Sequence, residues 1–173
     1  KIPEGSSISR GKSLFNILPL KNHQTISSIM PMPDANTDLK GMHIIFATSK
    51  GKIRKNSLDD FTSINSSGKI AIKLDIEDKI IGVKICRDDQ DILLHTKKGK
   101  CIRFESKKLR VFKGRSSKGI RGINLQNDDT VVSLSIIDAI DKKSNGKSKQ
   151  ETKIEKDAKQ NYILSITENG YGK

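Results

Sequence analysis

The chain has 173 residues, of which 33 are Lys or Arg and 20 are Asp or Glu, so its formal net charge is +13. This length allows one domain or two small ones, and an apolar content of 34% without any Trp is low for a large core. No apolar run approaches the ~20 residues of a membrane span, and the basic balance favours an acidic partner.

The chain begins with a predicted connection and then repeats a predicted β-hairpin three times. Residues 1–8 contain Pro, Gly and Ser, which is typical of a connection from an upstream unit. Each hairpin copy has Thr three residues before Gly, and the glycine is expected to supply the positive φ of a two-residue turn. The three pairs are Thr48/Gly51, Thr96/Gly99 and Thr167/Gly170.

A second repeated unit precedes the later hairpins. Residues 66–74 match residues 117–125, and residues 78–85 match residues 129–136. Ile81, Val83 and Ile85 alternate with Gly82, Lys84 and Cys86, which is the period of a half-buried strand. The first two hairpins are 48 residues apart, from Thr48 to Thr96, with about four short strands per unit, which favours propeller-like blades over a β-sandwich.

We therefore predict an all-β chain of about two and a half four-stranded blades, arranged as a β-pinwheel or propeller-like disc. The predicted segments are a connection at 1–8, a blade at 9–64, a blade at 65–113 and an incomplete blade at 114–173. The last contains a Lys-rich insert at about 138–160, predicted to be a loop that extends a hairpin. A DNA-touching arm is the alternative role for this insert.

The densest positive charge lies between Lys97 and Arg121, where eleven Lys or Arg accompany one acid, Glu105. Positive charges at such a density repel one another in the folded chain. Lys and Arg that bind phosphates release the counterions condensed on a nucleic acid, so a polyanion is the expected partner. A solvated basic face without a partner is the alternative. Interleaved apolar residues such as Ile102 and Phe112 indicate that these charges sit on ordered structure.

Three groups of cations are candidate phosphate contacts. Two flank hairpin turns at equivalent positions, and the third occupies residues 107–121, which we call the basic connection. The candidates are Lys50, Lys52 and Arg54 at the first turn, Lys97, Lys98 and Lys100 at the second, and Lys107, Lys108, Arg110, Lys113, Arg115, Lys118 and Arg121 in the basic connection. Glycines at 114, 119 and 122 either permit close backbone approach or simply form turns. With seven aromatic residues, base stacking is poorly supported and duplex DNA is favoured.

Neither a catalytic residue nor a metal site is predicted. The sequence contains no nucleotide-binding Gly-rich loop and no convergent catalytic set. Cys86, His95 and Cys101 fit no common zinc spacing, and the two cysteines form no C-x-x-C pair, which favours a reduced cytosolic chain. Acid pairs at 59–60 and 88–89 are better explained by turn chemistry.

Four segments together resemble successive blades of the C-terminal domain of the DNA gyrase A protein, in that family's order and near its spacing. They are Arg-Gly-Lys-Ser-Leu-Phe-Asn-Ile-Leu-Pro-Leu at 10–20, Gly-Lys-Ile-Ala-Ile-Lys-Leu at 68–74, Gly-Arg-Ser-Ser-Lys-Gly-Ile-Arg-Gly-Ile-Asn-Leu at 114–125 and Asn-Gly-Tyr-Gly-Lys at 169–173. The resemblance implies a β-pinwheel whose neighbouring blades exchange strands and whose basic rim wraps duplex DNA, so that strand passage introduces negative supercoils. The family's heptapeptide Gln-Arg-Arg-Gly-Gly-Lys-Gly is absent, and residues 116–122 are only a degenerate relative of it.

The same resemblance implies part of a bacterial, ATP-hydrolysing type II DNA topoisomerase, an isomerase. By the same resemblance, ATP and Mg would bind elsewhere in the enzyme. The catalytic tyrosine would also lie elsewhere, because Tyr162 and Tyr171 fall in predicted hairpin strands. The implied partners are duplex DNA, the rest of the gyrase A protein and the gyrase B protein in an A2B2 heterotetramer, in the cytoplasm with the nucleoid and without a membrane. The C-terminal domain of the topoisomerase IV A protein and a protein-binding β-propeller are the alternatives.

Overall fold

A computed structural model of the chain describes residues 4–18, 20–21, 24–34, 36–63, 65, 68–114, 116–139 and 162–173. Within these ranges the protein consists of β-strands, short 3-10 turns and irregular segments, without an α-helix. The predicted all-β class is therefore confirmed. No element of the described ranges is a helix with the length and apolarity needed to cross a membrane. Apart from Asp138 and Ala139, the predicted insert lies outside the described residues.

The described strands form two sheets. They are β1 (Met42–Thr48), β2 (Lys52–Ser57), β3 (Ile80–Arg87), β4 (Gln90–Thr96), β5 (Cys101–Glu105), β6 (Val111–Phe112), β7 (Ile120–Arg121) and β8 (Val131–Asp138). The first sheet has the order β3-β1-β2-β6, and β7 also pairs with β2. The second sheet has the order β5-β4-β8. Among these strands, only β2 and β6 run parallel to each other; the other pairs are antiparallel.

Strands from different sequence repeats share one sheet. The first sheet takes β1 and β2 from predicted segment 9–64, β3 and β6 from 65–113, and β7 from 114–173. The second sheet takes β4 and β5 from 65–113 and β8 from 114–173. The predicted boundaries mark the repeats of the sequence. They do not mark the sheets, because each sheet contains strands from more than one repeat.

Strand β1 is buried along most of its length because both faces of the first sheet are covered. One face contributes Ile45 and Ala47 to a core shared with the second sheet. The other contributes Ile44 and Phe46 to a core shared with the 3-10 turn Leu58–Phe61. Two-sided burial explains the unbroken apolar run of β1, and each large apolar side chain contributes roughly 1.5–3 kcal/mol when fully buried.

The hairpin turns have the same geometry in all three copies. Gly51, Gly99 and Gly170 have φ of 78°, 82° and 80°, which confirms the predicted positive φ. The loops between β1 and β2 and between β4 and β5 are longer than the predicted two residues, and in both the N–H of the left-handed glycine donates to the threonine carbonyl at 3.0 Å. In each copy the threonine hydroxyl accepts the backbone N–H four residues later, at 3.0–3.2 Å, which explains the constant Thr-to-Gly spacing.

The last predicted hairpin, in residues 162–173, has the turn but not the strands. Its backbone forms a single antiparallel bridge between Ile166 and Gly172. Its side chains are exposed, with Tyr162 at 84% and Ile166 at 67%. An isolated hairpin is marginal in water, and no described sheet covers this one.

Two glycines bring β7 so close to β2 that a side chain does not fit. A Cβ added to Gly119 would lie 2.4 Å from the carbonyl oxygen of Ile53, and φ of Gly119 is +82°. A Cβ added to Gly122 would lie 2.9 Å from Cγ2 of Ile53. In contrast, a Cβ added to Gly114 would have nothing within 4 Å. The close approach at residues 119 and 122 is therefore an approach to β2.

We predict that Gly119→Ala lowers the free energy of unfolding by about 2 kcal/mol or more, because the methyl group meets backbone and the residue needs a positive φ. Gly114→Ala is the matched control and should stay within about 0.5 kcal/mol of the parent protein. Equilibrium unfolding in denaturant measures both. Equal stability of the two variants would contradict the close packing of β7 on β2.

Candidate nucleic-acid interface

Three consecutive polar side chains of β2, which we call the β2 clasp, hold the chain that follows β5. Each donates a hydrogen bond to a backbone carbonyl between residues 106 and 117. The bonds run from Arg54 to Ser117, from Lys55 to Ser106 at 3.1 Å and from Asn56 to Phe112 at 2.7 Å. All three residues are at most 2% exposed, so water competes little for these bonds. The clasp thereby fixes the backbone of the basic connection.

Lys55 also belongs to a network of titratable side chains. Its Nζ bonds to Asp88, and the hydrogen bond from Lys55 lowers the pKa of that carboxyl. Asp88 lies 3.3 Å from Nε2 of His43, whose pKa is lowered by burial and then by the charge of Lys55. Burial raises the pKa of the Cys86 thiol, which lies 3.2 Å from Oγ of Ser106. The network joins β1, β2, β3 and the 3-10 turn Ser106–Lys108, which leads into the basic connection.

Phe112 lies against two guanidinium groups. The Cζ atom of the buried Arg54 is 5.1 Å from the ring centroid, and that of the exposed Arg110 is 4.2 Å from it. An exposed cation–π contact of this kind is worth about 0.5–1 kcal/mol. The stack therefore restrains Arg110 at the surface, where its N–H groups remain accessible to solvent.

The other cations of the basic connection are also exposed. The exposed ones are Lys107, Lys108, Arg110, Lys113, Lys118 and Arg121, whereas Arg115 lies outside the described residues. Lys107 and Lys108 both pair with Glu105, at 3.1 and 3.2 Å. At the second hairpin turn, Lys97 lies 3.4 Å from Glu168. Exposed pairs such as these add about 0–1 kcal/mol and can be exchanged for pairs with another anion.

The two hairpin turns lie side by side. The backbone N–H of Lys97 donates to the carbonyl of Thr130 at 2.8 Å, and that of Val131 donates to Ser49 at 2.9 Å. These two bonds connect the tips of both hairpins through adjacent residues. Exposed lysines at the tips are Lys50, Lys97, Lys98 and Lys100, and Lys52 is half-buried.

Asp75 joins the first hairpin to the basic connection. Its carboxylate bonds to the ammonium groups of Lys52 and Lys118. The hydrogen bond from Lys118, followed by that from Lys52, lowers the pKa of Asp75 from 3.8 to about 2. Asp75 therefore remains ionised at neutral pH and keeps two predicted phosphate contacts close together.

Arg54 is the predicted phosphate contact whose placement differs from the expectation. It is 0% exposed, and its guanidinium bonds to Asn56 and Ser117, so it does not face solvent. Its position beside a lysine-rich turn suggested a shared role, whereas its partner Ser117 is 63 residues away. Sequence reasoning also missed Lys55 and Asp75. The available signal was the run of three polar residues inside a strand that pairs with the apolar β1.

The cysteines and histidines do not converge on a metal site in the described part of the chain. Cys86 is buried, Cys101 is exposed, and both are free thiols. His95 pairs with Cys101 across β4 and β5, whereas Cys86 lies in β3 of the other sheet. No group of three or more His, Cys, Asp or Glu side chains in the described ranges could hold a metal ion.

Comparison with known proteins gives one consistent family. The chain matches the family described as DNA gyrase C-terminal domain, beta-propeller, over residues 43–87, 90–138 and 161–173. The DNA gyrase A protein of Rickettsia bellii is 38% identical over all of this chain, which spans 22% of that relative. The DNA gyrase A protein of Granulibacter bethesdensis is 42% identical over 79% of this chain, with 15% of the relative covered.

Solved structures show the fold. A DNA gyrase A C-terminal domain superposes with a TM-score of 0.71 over 95% of this chain and 46% of its own, at 22% identity. The C-terminal domain of a DNA topoisomerase IV superposes with a TM-score of 0.65 over 75% of this chain and 39% of its own, at 23% identity. The predicted propeller-like architecture is therefore confirmed and the sandwich alternative is not.

The carboxyl carbon of Asp75 should titrate in NMR spectra with a midpoint near pH 2, the value set by its two lysines. Because the folded pKa is depressed, the stability that these pairs contribute is present above pH 3.8 and is lost as the pH falls through about 2. In Lys118→Gln the midpoint should rise toward 3.8, and in the control Lys113→Gln it should not move. An unchanged midpoint in Lys118→Gln would show that the pair does not form in solution.

Proposed function

The chain belongs to the DNA gyrase C-terminal domain family of β-propellers, and we propose that it wraps duplex DNA around its basic surface. By basic surface we mean the hairpin tips at 50–52 and 97–100 together with the basic connection. The DNA would be held through its phosphates, since such contacts position a duplex without reading its sequence. Flexible cations suit this role, and the described residues contain no α-helix that could read bases in the major groove.

The observation that carries this proposal is the β2 clasp. It binds carbonyl groups of residues 106, 112 and 117, so that these acceptors are taken up by β2. Unpaired carbonyl oxygens would repel phosphates, whereas lysine and arginine side chains attract them. Holding the backbone on one side while the cations remain exposed thus produces a surface suited to a polyanion.

Repetition of the turns favours wrapping over binding at a single point. Equivalent lysines recur at Lys50 and Lys98, and their turns lie side by side. Equivalent lysines side by side can each bind one of the successive phosphates along a duplex. Smooth bending of a 20–30 bp duplex costs about 1–6 kcal/mol, which additional phosphate contacts along the row can offset.

For the longer protein we propose the role of the gyrase A protein in a bacterial type II DNA topoisomerase. The support is the identity to a DNA gyrase A protein along the whole of this chain. In this proposal the wrapping lets ATP-dependent strand passage introduce negative supercoils, with the gyrase B protein in an A2B2 assembly at the nucleoid in the cytoplasm. ATP and Mg would bind outside this chain. A topoisomerase IV protein remains the alternative, supported by likeness of fold alone.

We expect the full-length protein to bind duplexes of unrelated sequence with nearly equal affinity, and to lose affinity steeply as salt increases. Fluorescence anisotropy with several labelled duplexes over a salt series measures both properties. Binding that discriminates strongly among sequences and persists at high salt would contradict phosphate-directed wrapping. Tight binding to a neutral protein partner instead of DNA would favour the protein-binding propeller.

Lys113 and Arg54 form a matched pair for this experiment. Lys113→Ala should reduce the salt slope by about 1 and leave the free energy of unfolding within about 0.5 kcal/mol of the parent, because the side chain is exposed. Arg54→Ala should lower the free energy of unfolding by about 2 kcal/mol or more, because buried hydrogen bonds are lost. The reverse pattern would place the phosphate contact inside the clasp and contradict the basic surface as defined.

A further inference from the structure

The carboxylate of Asp75 stands where two cations of the basic surface converge. One of its oxygens bonds to Nζ of Lys52 and the other to Nζ of Lys118. The partners come from different elements, since Lys52 begins β2 and Lys118 belongs to the basic connection. Arg121 pairs with Lys52 across β7 and β2 and adds a third cation nearby, which is exposed.

This arrangement matches the chemistry of a DNA phosphate. A phosphodiester shares one negative charge over two free oxygens, as a carboxylate does, and lysine binds either group as a point charge. The side chains of Lys52, Lys118 and Asp75 are 31%, 45% and 28% exposed, so an outside anion can reach the two ammonium groups.

The turn at residues 126–129 contacts the second hairpin as the turn at 75–78 contacts the first, but it lacks this carboxylate. In the first copy the backbone N–H of Asp78 donates to the carbonyl of Asp75 at 3.1 Å, and in the second the N–H of Asp129 donates to Gln126 at 3.2 Å. Residues 77 and 128 have matching φ of 60° and 64°. Position 75 thus corresponds structurally to position 126, where the side chain is a neutral amide.

Lysines bind to both turns in the same way, which supports the correspondence. Nζ of Lys50 donates to the carbonyl of Ile76 at 2.8 Å, and Nζ of Lys98 donates to that of Asn127 at 3.1 Å. Lys100 is the counterpart of Lys52, and its ammonium has no ion pair among the described residues.

We propose that Lys52 and Lys118 form a phosphodiester-binding site and that Asp75 is an intramolecular competitor that occupies this site when DNA is absent. The inference rests on the proposed DNA-binding function and adds that the lysines of the basic surface differ in how readily they bind phosphate. Lys52 and Lys118 bind phosphate only after Asp75 is displaced, whereas Lys100, the counterpart of Lys52, has no such carboxylate to displace. Phosphate therefore binds more readily at Lys100 than at Lys52.

The first test is Asp75→Asn in the full-length protein, measured by duplex binding over a salt series. Removing the carboxylate should tighten binding about three- to tenfold at low salt, because two exposed ion pairs no longer have to be broken. The salt slope should steepen by about 1 to 2, since two more cations release counterions from the DNA. Asp59→Asn is the control, because it removes the same charge from an exposed acid that has no ion pair in the described structure.

The two lysines are tested in the same background. Adding Lys52→Gln and Lys118→Gln to Asp75→Asn should abolish the gain in affinity and restore the smaller slope. The reciprocal change, Gln126→Asp, should weaken binding about threefold by placing a carboxylate near Lys100. Thermal unfolding of each variant shows whether the fold is intact.

The outcomes separate this inference from the proposed function. If Asp75→Asn and Asp59→Asn tighten binding equally with the same slope, only net charge matters and the competitor role is overturned, while DNA binding stands. If Asp75→Asn still binds more tightly after both lysines are replaced, the site is elsewhere and the inference fails. If the parent protein shows no salt-dependent duplex binding, the proposed function itself fails.

Discussion

The structure depends on the three hydrogen bonds through which the β2 clasp holds the chain after β5. A buried arginine, lysine and asparagine in one strand would each carry a large desolvation cost without partners. Their partners are carbonyl groups that would otherwise be unpaired in an irregular, highly charged segment. The clasp therefore gives partners to both the buried side chains and the carbonyl groups, and it holds β6 and β7 against β2, which belongs to an earlier repeat.

The same constraint divides the cations of this chain into two classes. Arg54 and Lys55 are enclosed and act on the protein's own backbone, whereas those of the basic connection remain at the surface. A third group of cations forms ion pairs with acids of the chain itself, as Lys52 and Lys118 do with Asp75. The count of 33 Lys and Arg residues thus overstates the number of cations that are free to meet a polyanion.

The hairpin tips and the all-β class could be predicted from the sequence because local rules determine them. Gly51, Gly99 and their threonines set a turn through contacts within four residues. The clasp could not be predicted, because Arg54 and Ser117 are 63 residues apart and meet only through strand exchange. A charge pattern also cannot tell a buried cation from an exposed one; Arg54 and Lys52 share a strand and differ in environment. The sequence repeat aligns position 75 with position 126, but the convergence of Lys52 and Lys118 on Asp75 is visible only in the folded chain.

DNA is expected to meet the basic surface while the clasp stays inside the protein. Lysine acetylation of the full-length protein with and without duplex DNA, read by mass spectrometry, tests this most directly. DNA should protect the lysines at 97–118, leave the exposed Lys12, Lys21 and Lys40 equally reactive, and leave Lys55 unreactive in both states. Protection of Lys12, Lys21 and Lys40 without protection at 97–118 would contradict this placement of the DNA.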